Sequence, residues 1–183
     1  MLIKSKDLFT FLRIAVQEKQ DGITDVFLPN ISPLGHDGQA YFGHHLDDNA
    51  VLDSFRTIDP LKILFYLARE RMTPAEFSQQ KRVILGVKAC DLAALELLDR
   101  AMINQDFIDP AYKHWRENSI IVATDCASIN ETCHCTLVGG KPFAESGFDL
   151  NLSSVNGAYF IQVGSDKGEA LLQSMKKSIK IDV

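Results

Sequence analysis

Two short apolar runs separated by one amphipathic segment constrain the fold of this chain more than any other feature. The runs are 82–87 (RVILGV) and 118–124 (NSIIVAT). Between them, residues 91–103 place apolar side chains at helical spacing, namely Leu92, Leu95, Leu98 and Met102. Nearly continuous apolar runs are typical of strands buried on both faces, and a crossover of this length joins parallel neighbours. The sequence therefore predicts an α/β fold with flanking helices and a sheet that is at least partly parallel.

The rest of the chain predicts a small N-terminal β region and a C-terminal hairpin with a closing helix. The predicted elements are a helix over 2–18, strands over 25–28, 39–44, 149–155 and 158–163, and a helix over 166–179. Asn156-Gly157 supplies a hairpin turn between the last two strands. We expect residues 1–50 to form the N-terminal helix and β region, and residues 51–183 to form the α/β domain that carries the cysteines. The two parts are expected to make one compact unit.

Charge and hydropathy narrow the class of protein. The net charge is −5, from 19 basic and 24 acidic residues without a basic run, so a nucleic-acid surface is not indicated. No stretch approaches the ~20 apolar residues that a membrane span needs. Charged residues interrupt the N-terminus and leave no signal-peptide core, which predicts the cytoplasm. In that reducing compartment, four cysteines favour metal binding, catalysis or burial over disulfides.

The positions of the cysteines predict that they converge. Cys90 follows the first apolar run and Cys126 follows the second. If the two strands are parallel, both cysteines lie at the carboxyl edge of one sheet, where open α/β sheets bind ligands. Cys133 and Cys135 lie in the loop immediately downstream, CASINETCHC. The spacing thus allows all four thiols to meet.

Four thiolates can bind a tetrahedral zinc or an iron–sulfur cluster. Small zinc modules usually present CxxC pairs, and this chain has none. Ligands spread over several loops favour a cluster, and the helix N-terminus beside Cys90 favours its negative charge. Burial of incidental thiols and redox catalysis stay open as alternatives. His134 stands between two of the cysteines, but adjacent residues of an extended loop face opposite sides, so we expect it to point away.

Several longer segments are similar to those of one family. They are GVKACDLAALELLDRAM, ENSIIVATDCASINETCHCT, ESGFDLNL, YFIQVGSDKGEALL and PLKILFYLARERM, and together they cover most of residues 50–172. The chain thereby resembles the beta-type electron-transfer subunits of cytoplasmic sulfhydrogenases (hydrogenase/sulfur reductase complexes) and the corresponding iron–sulfur subunit of anaerobic sulfite reductase. The resemblance implies that Cys90, Cys126, Cys133 and Cys135 bind a 4Fe–4S cluster.

The resemblance also implies a role and its limits. The domain would relay electrons between flavin-containing and catalytic subunits of an oxidoreductase complex and would not be catalytic alone. Family members continue into a domain with two CxxCxxCxxxCP runs, and this sequence contains neither, so it is expected to be part of a longer protein or a short relative. Exposed clusters are lost in air, so empty cysteines or zinc are possible in an aerobic sample. The alternative is a partner-binding scaffold whose cysteines are empty or hold structural zinc.

Overall fold

The computed structural model describes residues 1–31, 40–47, 50–54, 56–65 and 80–178. Some predicted features fall outside these ranges. They are residues 66–72 of the PLKILFYLARERM segment and the end residues of two predicted elements, Gln39 and Ile179.

The described strands form one mixed sheet of seven. They are β1 (Leu2–Lys4), β2 (Ile23–Ile31), β3 (Ala40–Gly43), β4 (Lys81–Val87), β5 (Ser119–Thr124), β6 (Leu150–Val155) and β7 (Ala158–Val163). Their order is β1-β7-β6-β5-β4-β2-β3. Strands β2, β4, β5 and β6 are parallel, whereas β3, β7 and β1 pair with their neighbours in antiparallel fashion. The predicted α/β class, the parallel β4–β5 pair and the N-terminal β region are confirmed.

Helices cover both faces of this sheet. They are α1 (Ser5–Gln17), α2 (Ala89–Met102), α3 (Pro110–Glu117) and α4 (Asp166–Ser178). The side chains of β4 alternate between the faces: Val83 and Leu85 pack with α1 and α4, while Ile84 packs with α2 and α3. Within the described residues, no helix is long and apolar enough to cross a bilayer.

Strand β4 changes its alternation just before it ends. Val87 belongs to the same core cluster as Ile84, although simple alternation would place it with Leu85. The register with β5 shifts between Leu85 and Val87, and Gly86 between them has a φ of +74°. This is a β-bulge, which adds one residue and turns the following side chains to the other face. The bulge therefore sets the direction in which β4 enters the loop before Cys90.

Two elements differ from the prediction. The helix predicted over 2–18 begins only at Ser5, because Leu2 to Lys4 form an edge strand against β7, with Ile3 opposite Tyr159. Helix α3 was not predicted at all. Its start is marked by Asp109, whose carboxylate accepts a hydrogen bond from the Tyr112 N–H at 2.8 Å, and by a proline in its first turn.

Candidate metal centre

Cys90 and Cys126 come from adjacent loops at one edge of the sheet. Strands β4 and β5 run in parallel, with Val87 opposite Ala123, so both strands end at the same edge. Cys90 lies in the first turn of α2, whose N-cap residue is Lys88. Cys126 lies two residues beyond the end of β5. The edge is the one where parallel sheets usually bind their ligands.

Cys126 lies within electrostatic range of the other three cysteines. Burial raises the pKa of the Cys126 thiol, and negative charge on Cys133 and on Cys135 raises it further. Burial also raises the pKa of Cys90, to about 11, and charge on Cys126 contributes to that shift. All four thiols are free and half-buried. The structure thus brings the four cysteines into one region, with Cys126 at its centre, and their role as ligands stays a prediction.

Backbone hydrogen bonds fix the loop that carries three of these cysteines. The Cys126 N–H donates to the Pro142 carbonyl at 2.8 Å, which ties the start of the loop to its end. The Cys133 N–H donates to the Asn130 carbonyl at 2.9 Å, and the Asn130 N–H approaches Cys133 Sγ at 3.3 Å. An amide aimed at sulfur stabilises a thiolate and changes the potential of any iron that the sulfur binds.

His134 and its two cysteine neighbours differ in exposure. His134 is exposed, and its Nδ1 lies 3.2 Å from the Thr132 carbonyl oxygen. Cys133 and Cys135 are half-buried on either side of it. The Cys135 carbonyl accepts a hydrogen bond of 2.7 Å from the Gly140 N–H, which closes the short helical turn after the cysteines. The imidazole therefore lies on the solvent side of the loop.

Positive charge also reaches the site, and sequence reasoning missed its main source. Lys88 is only 1% exposed, and its Nζ donates to the Leu52 carbonyl at 2.7 Å. Its positive charge lowers the pKa of Cys126, against the effect of burial. Arg56, which is exposed, acts in the same sense on Cys90. The sequence signal was a lysine placed between a buried strand and a helix.

Comparison with known proteins finds a relative of this chain. Over 128 residues the chain is 33% identical to "Sulfhydrogenase 2 subunit beta" of Pyrococcus furiosus. The chain is related to a sulfhydrogenase beta subunit. The match covers 66% of this chain but only 37% of that relative, so the chain spans little more than a third of the curated protein that it matches. No protein-family profile matches the chain, and neither does any solved structure.

The donor set distinguishes between the kinds of metal group that the sulfhydrogenase-related chain would hold. In the part of the chain that the structure describes, no three His, Cys, Asp or Glu side chains are gathered as a single metal ion requires. A zinc ion needs all its ligands about 2.0–2.3 Å from one centre. A 4Fe–4S cluster is larger and takes four cysteine thiolates. Four half-buried thiols around Cys126, with a buried ammonium beside them, fit the cluster in number, type and charge.

We expect the Cys90 thiol to react slowly when no metal is bound. The pKa of about 11, raised mainly by burial and then by the neighbouring Asp91 charge, leaves about a hundredfold less thiolate near pH 8 than an ordinary thiol has. Alkylation of Cys90 by iodoacetamide in the metal-free protein, followed by mass spectrometry, measures this rate. The same cysteine in the urea-unfolded chain is the matched control. Equal rates in the folded and unfolded chains would contradict the buried setting of Cys90.

Proposed function

We propose that this chain is an electron-transfer domain of a multisubunit oxidoreductase and that it binds one 4Fe–4S cluster through Cys90, Cys126, Cys133 and Cys135. The carrying observation is that Cys126 lies within electrostatic range of the other three thiols at the carboxyl edge of the sheet. The kinship with a sulfhydrogenase beta subunit supports a hydrogenase or sulfur reductase complex. A sulfite reductase complex is the second setting consistent with the sequence resemblance.

The protein would contribute ligands, hydrogen bonds and a partly dry environment. When bound, the cluster supplies reversible one-electron chemistry. Cys126 would hold the centre of the site, and the loop hydrogen bonds at Pro142 and Asn130 would keep the ligand positions fixed. The Asn130 N–H would stabilise the Cys133 thiolate. None of these groups transforms a substrate, so the domain would act as a relay and not as an enzyme by itself.

The expected partners are the other subunits of the complex, one that contains flavin and one that is catalytic. The word "subunit" in the relative's name describes an assembly, and we transfer that property to this chain as part of the proposal. Such an assembly is expected in the cytoplasm. The loop around the cysteines exposes three large aliphatic side chains, Ile129, Leu137 and Val138, at 85%, 85% and 74%. An exposed apolar group of this kind suits contact with another protein of the complex.

Anaerobic reconstitution tests the proposal. The protein is purified without oxygen and incubated with ferrous iron, sulfide and a thiol reductant. We expect a brown protein with broad visible absorption and about four irons and four sulfides per chain. A colourless protein that keeps one zinc after this treatment would refute the cluster. That result would favour the alternative, a partner-binding domain with structural zinc or empty cysteines, for which the exposed aliphatic residues are the supporting observation.

A further inference from the structure

Lys88 is buried to a degree that is unusual for a lysine. Its side chain is 1% exposed at the point where β4 passes into α2. Lysine is almost never fully buried unless its charge is paired. Nζ donates to the Leu52 carbonyl, a neutral acceptor, and an ammonium carries three donors. Within the described residues, Lys88 makes no ion pair with a carboxylate, so its charge is left without a close partner.

The acidic groups that face Lys88 are engaged elsewhere. The charges that act on it are those of Cys126, which is the largest, and of Asp53, Asp91 and Asp125. Each of the three carboxylates accepts hydrogen bonds from other donors. These donors are Asn151 and Ser153 for Asp125, Ser154 and Tyr159 for Asp53, and the Lys88 backbone N–H for Asp91. The group that remains for the Lys88 charge is the cysteine site.

We propose that Lys88 supplies the buried counter-charge of the cysteine site and raises the reduction potential of the cluster held there. The inference rests on the proposed function. Reduction adds one electron to an already anionic group of iron, sulfide and thiolates. A fixed positive charge nearby stabilises the reduced form more than the oxidised form, because the attraction grows with the negative charge. Burial keeps this attraction from being screened by salt.

The position of Lys88 also explains why it cannot turn away. The Nζ–Leu52 hydrogen bond attaches it to the segment 52–53, and the Asp53 carbonyl accepts a 3.2 Å hydrogen bond from the Ala127 N–H. The segment 52–53 therefore joins the Cys90 loop to the Cys126 loop. Lys88 is held between the two loops by the same contacts that hold the loops together.

Three variants test this inference by redox titration of the reconstituted protein. Lys88→Met keeps the length of the side chain and removes the charge, and Lys88→Arg keeps the charge. Lys141→Met is the matched control, because Lys141 belongs to the neighbouring loop but is half-exposed and paired with Glu145 at 2.7 Å. We expect Lys88→Met to lower the equilibrium constant for cluster reduction about tenfold. Lys88→Arg should restore most of it, and Lys141→Met should leave it unchanged.

Each outcome decides the question. A cluster with the wild-type potential in Lys88→Met overturns the inference, while a wild-type protein that binds no cluster overturns the proposed function instead. If Lys88→Met binds no cluster, the free energy of unfolding of the metal-free variant is measured. An unchanged or higher value means that the charge is needed to hold an anionic group, since methionine removes a buried charge that was costly to desolvate. A marked loss of stability means that Lys88 is structural, and the inference is wrong.

Discussion

Cys126→Ser is expected to leave the reconstituted protein without its cluster. Cys126 is the thiol that lies within electrostatic range of Cys90, Cys133 and Cys135, so its loss removes the ligand at the centre of the set. A serine hydroxyl is protonated at neutral pH and is a poor ligand for iron, which prefers thiolate sulfur in such clusters. Iron and sulfide content after anaerobic reconstitution is expected to fall from about four per chain to near zero.

His134→Ala is the matched control for this loss. The histidine stands between two of the cysteines but is exposed, and its ring lies against the Thr132 carbonyl. Its removal should leave the iron content and the visible spectrum unchanged. Far-ultraviolet circular dichroism shows whether the Cys126 variant keeps the fold of the wild type. A folded Cys126→Ser protein with full iron would show that the cluster, if present, is bound elsewhere.

The sequence predicts the site through one argument about strand direction. The two apolar runs became β4 and β5, and their parallel pairing puts Cys90 and Cys126 on neighbouring loops. Burial on both faces makes such runs readable without any tertiary information. The same holds for the last hairpin, where Asn156 and Gly157 adopt the left-handed backbone that this turn requires.

What the sequence does not predict depends on contacts between distant parts of the chain. Strand β1 forms because Ile3 pairs with Tyr159, and no local periodicity signals a partner that far along the chain. The depth of Lys88 likewise depends on the Leu52 carbonyl, 36 residues away. Lysine is usually exposed, so a lysine beside a strand end is naturally read as a surface residue. Long-range hydrogen bonds decide both features.

Helix α3 was missed for a different reason. The segment is short and rich in charged and polar residues, and Tyr112 is its one fully buried side chain. A stripe of apolar residues, the main sign of a helix, is therefore missing. The tertiary bonds of Tyr112 and Arg116 to the Asp99 carboxylate, at 2.7 and 3.1 Å, hold it against α2. The cap formed by Asp109 was the available signal.

Gly86→Ala is expected to lower the free energy of unfolding by about 2–4 kcal/mol, from a positive φ and from overpacking together. Gly86 has a φ of +74°, and an added Cβ would lie 2.5 Å from Pro29 Cδ. The Pro29 ring belongs to the adjacent strand β2 and is closed on its own backbone, so it cannot rotate aside as a longer side chain would. Urea denaturation of the metal-free protein measures the change.

Gly157→Ala separates the two contributions to that loss. Gly157 has a φ of +79°, but an added Cβ would meet nothing within 4 Å. It should therefore show only the backbone cost, about 1–2 kcal/mol. The excess in Gly86→Ala measures the contact with Pro29. Equal losses in the two variants would show that the neighbouring strands adjust and that the bulge does not depend on a glycine there.

The bulge at Gly86 also links the stability of the sheet to the cysteine site. It turns Val87 to the α2 side of the sheet, and the chain then runs through Lys88 to Cys90 within three residues. An alanine that removed the bulge would rotate these residues toward the opposite face. Gly86→Ala protein that remains folded should accordingly bind less iron than Gly157→Ala protein on reconstitution. Full iron binding in a folded Gly86→Ala variant would mean that the loop before Cys90 sets the ligand geometry without the bulge.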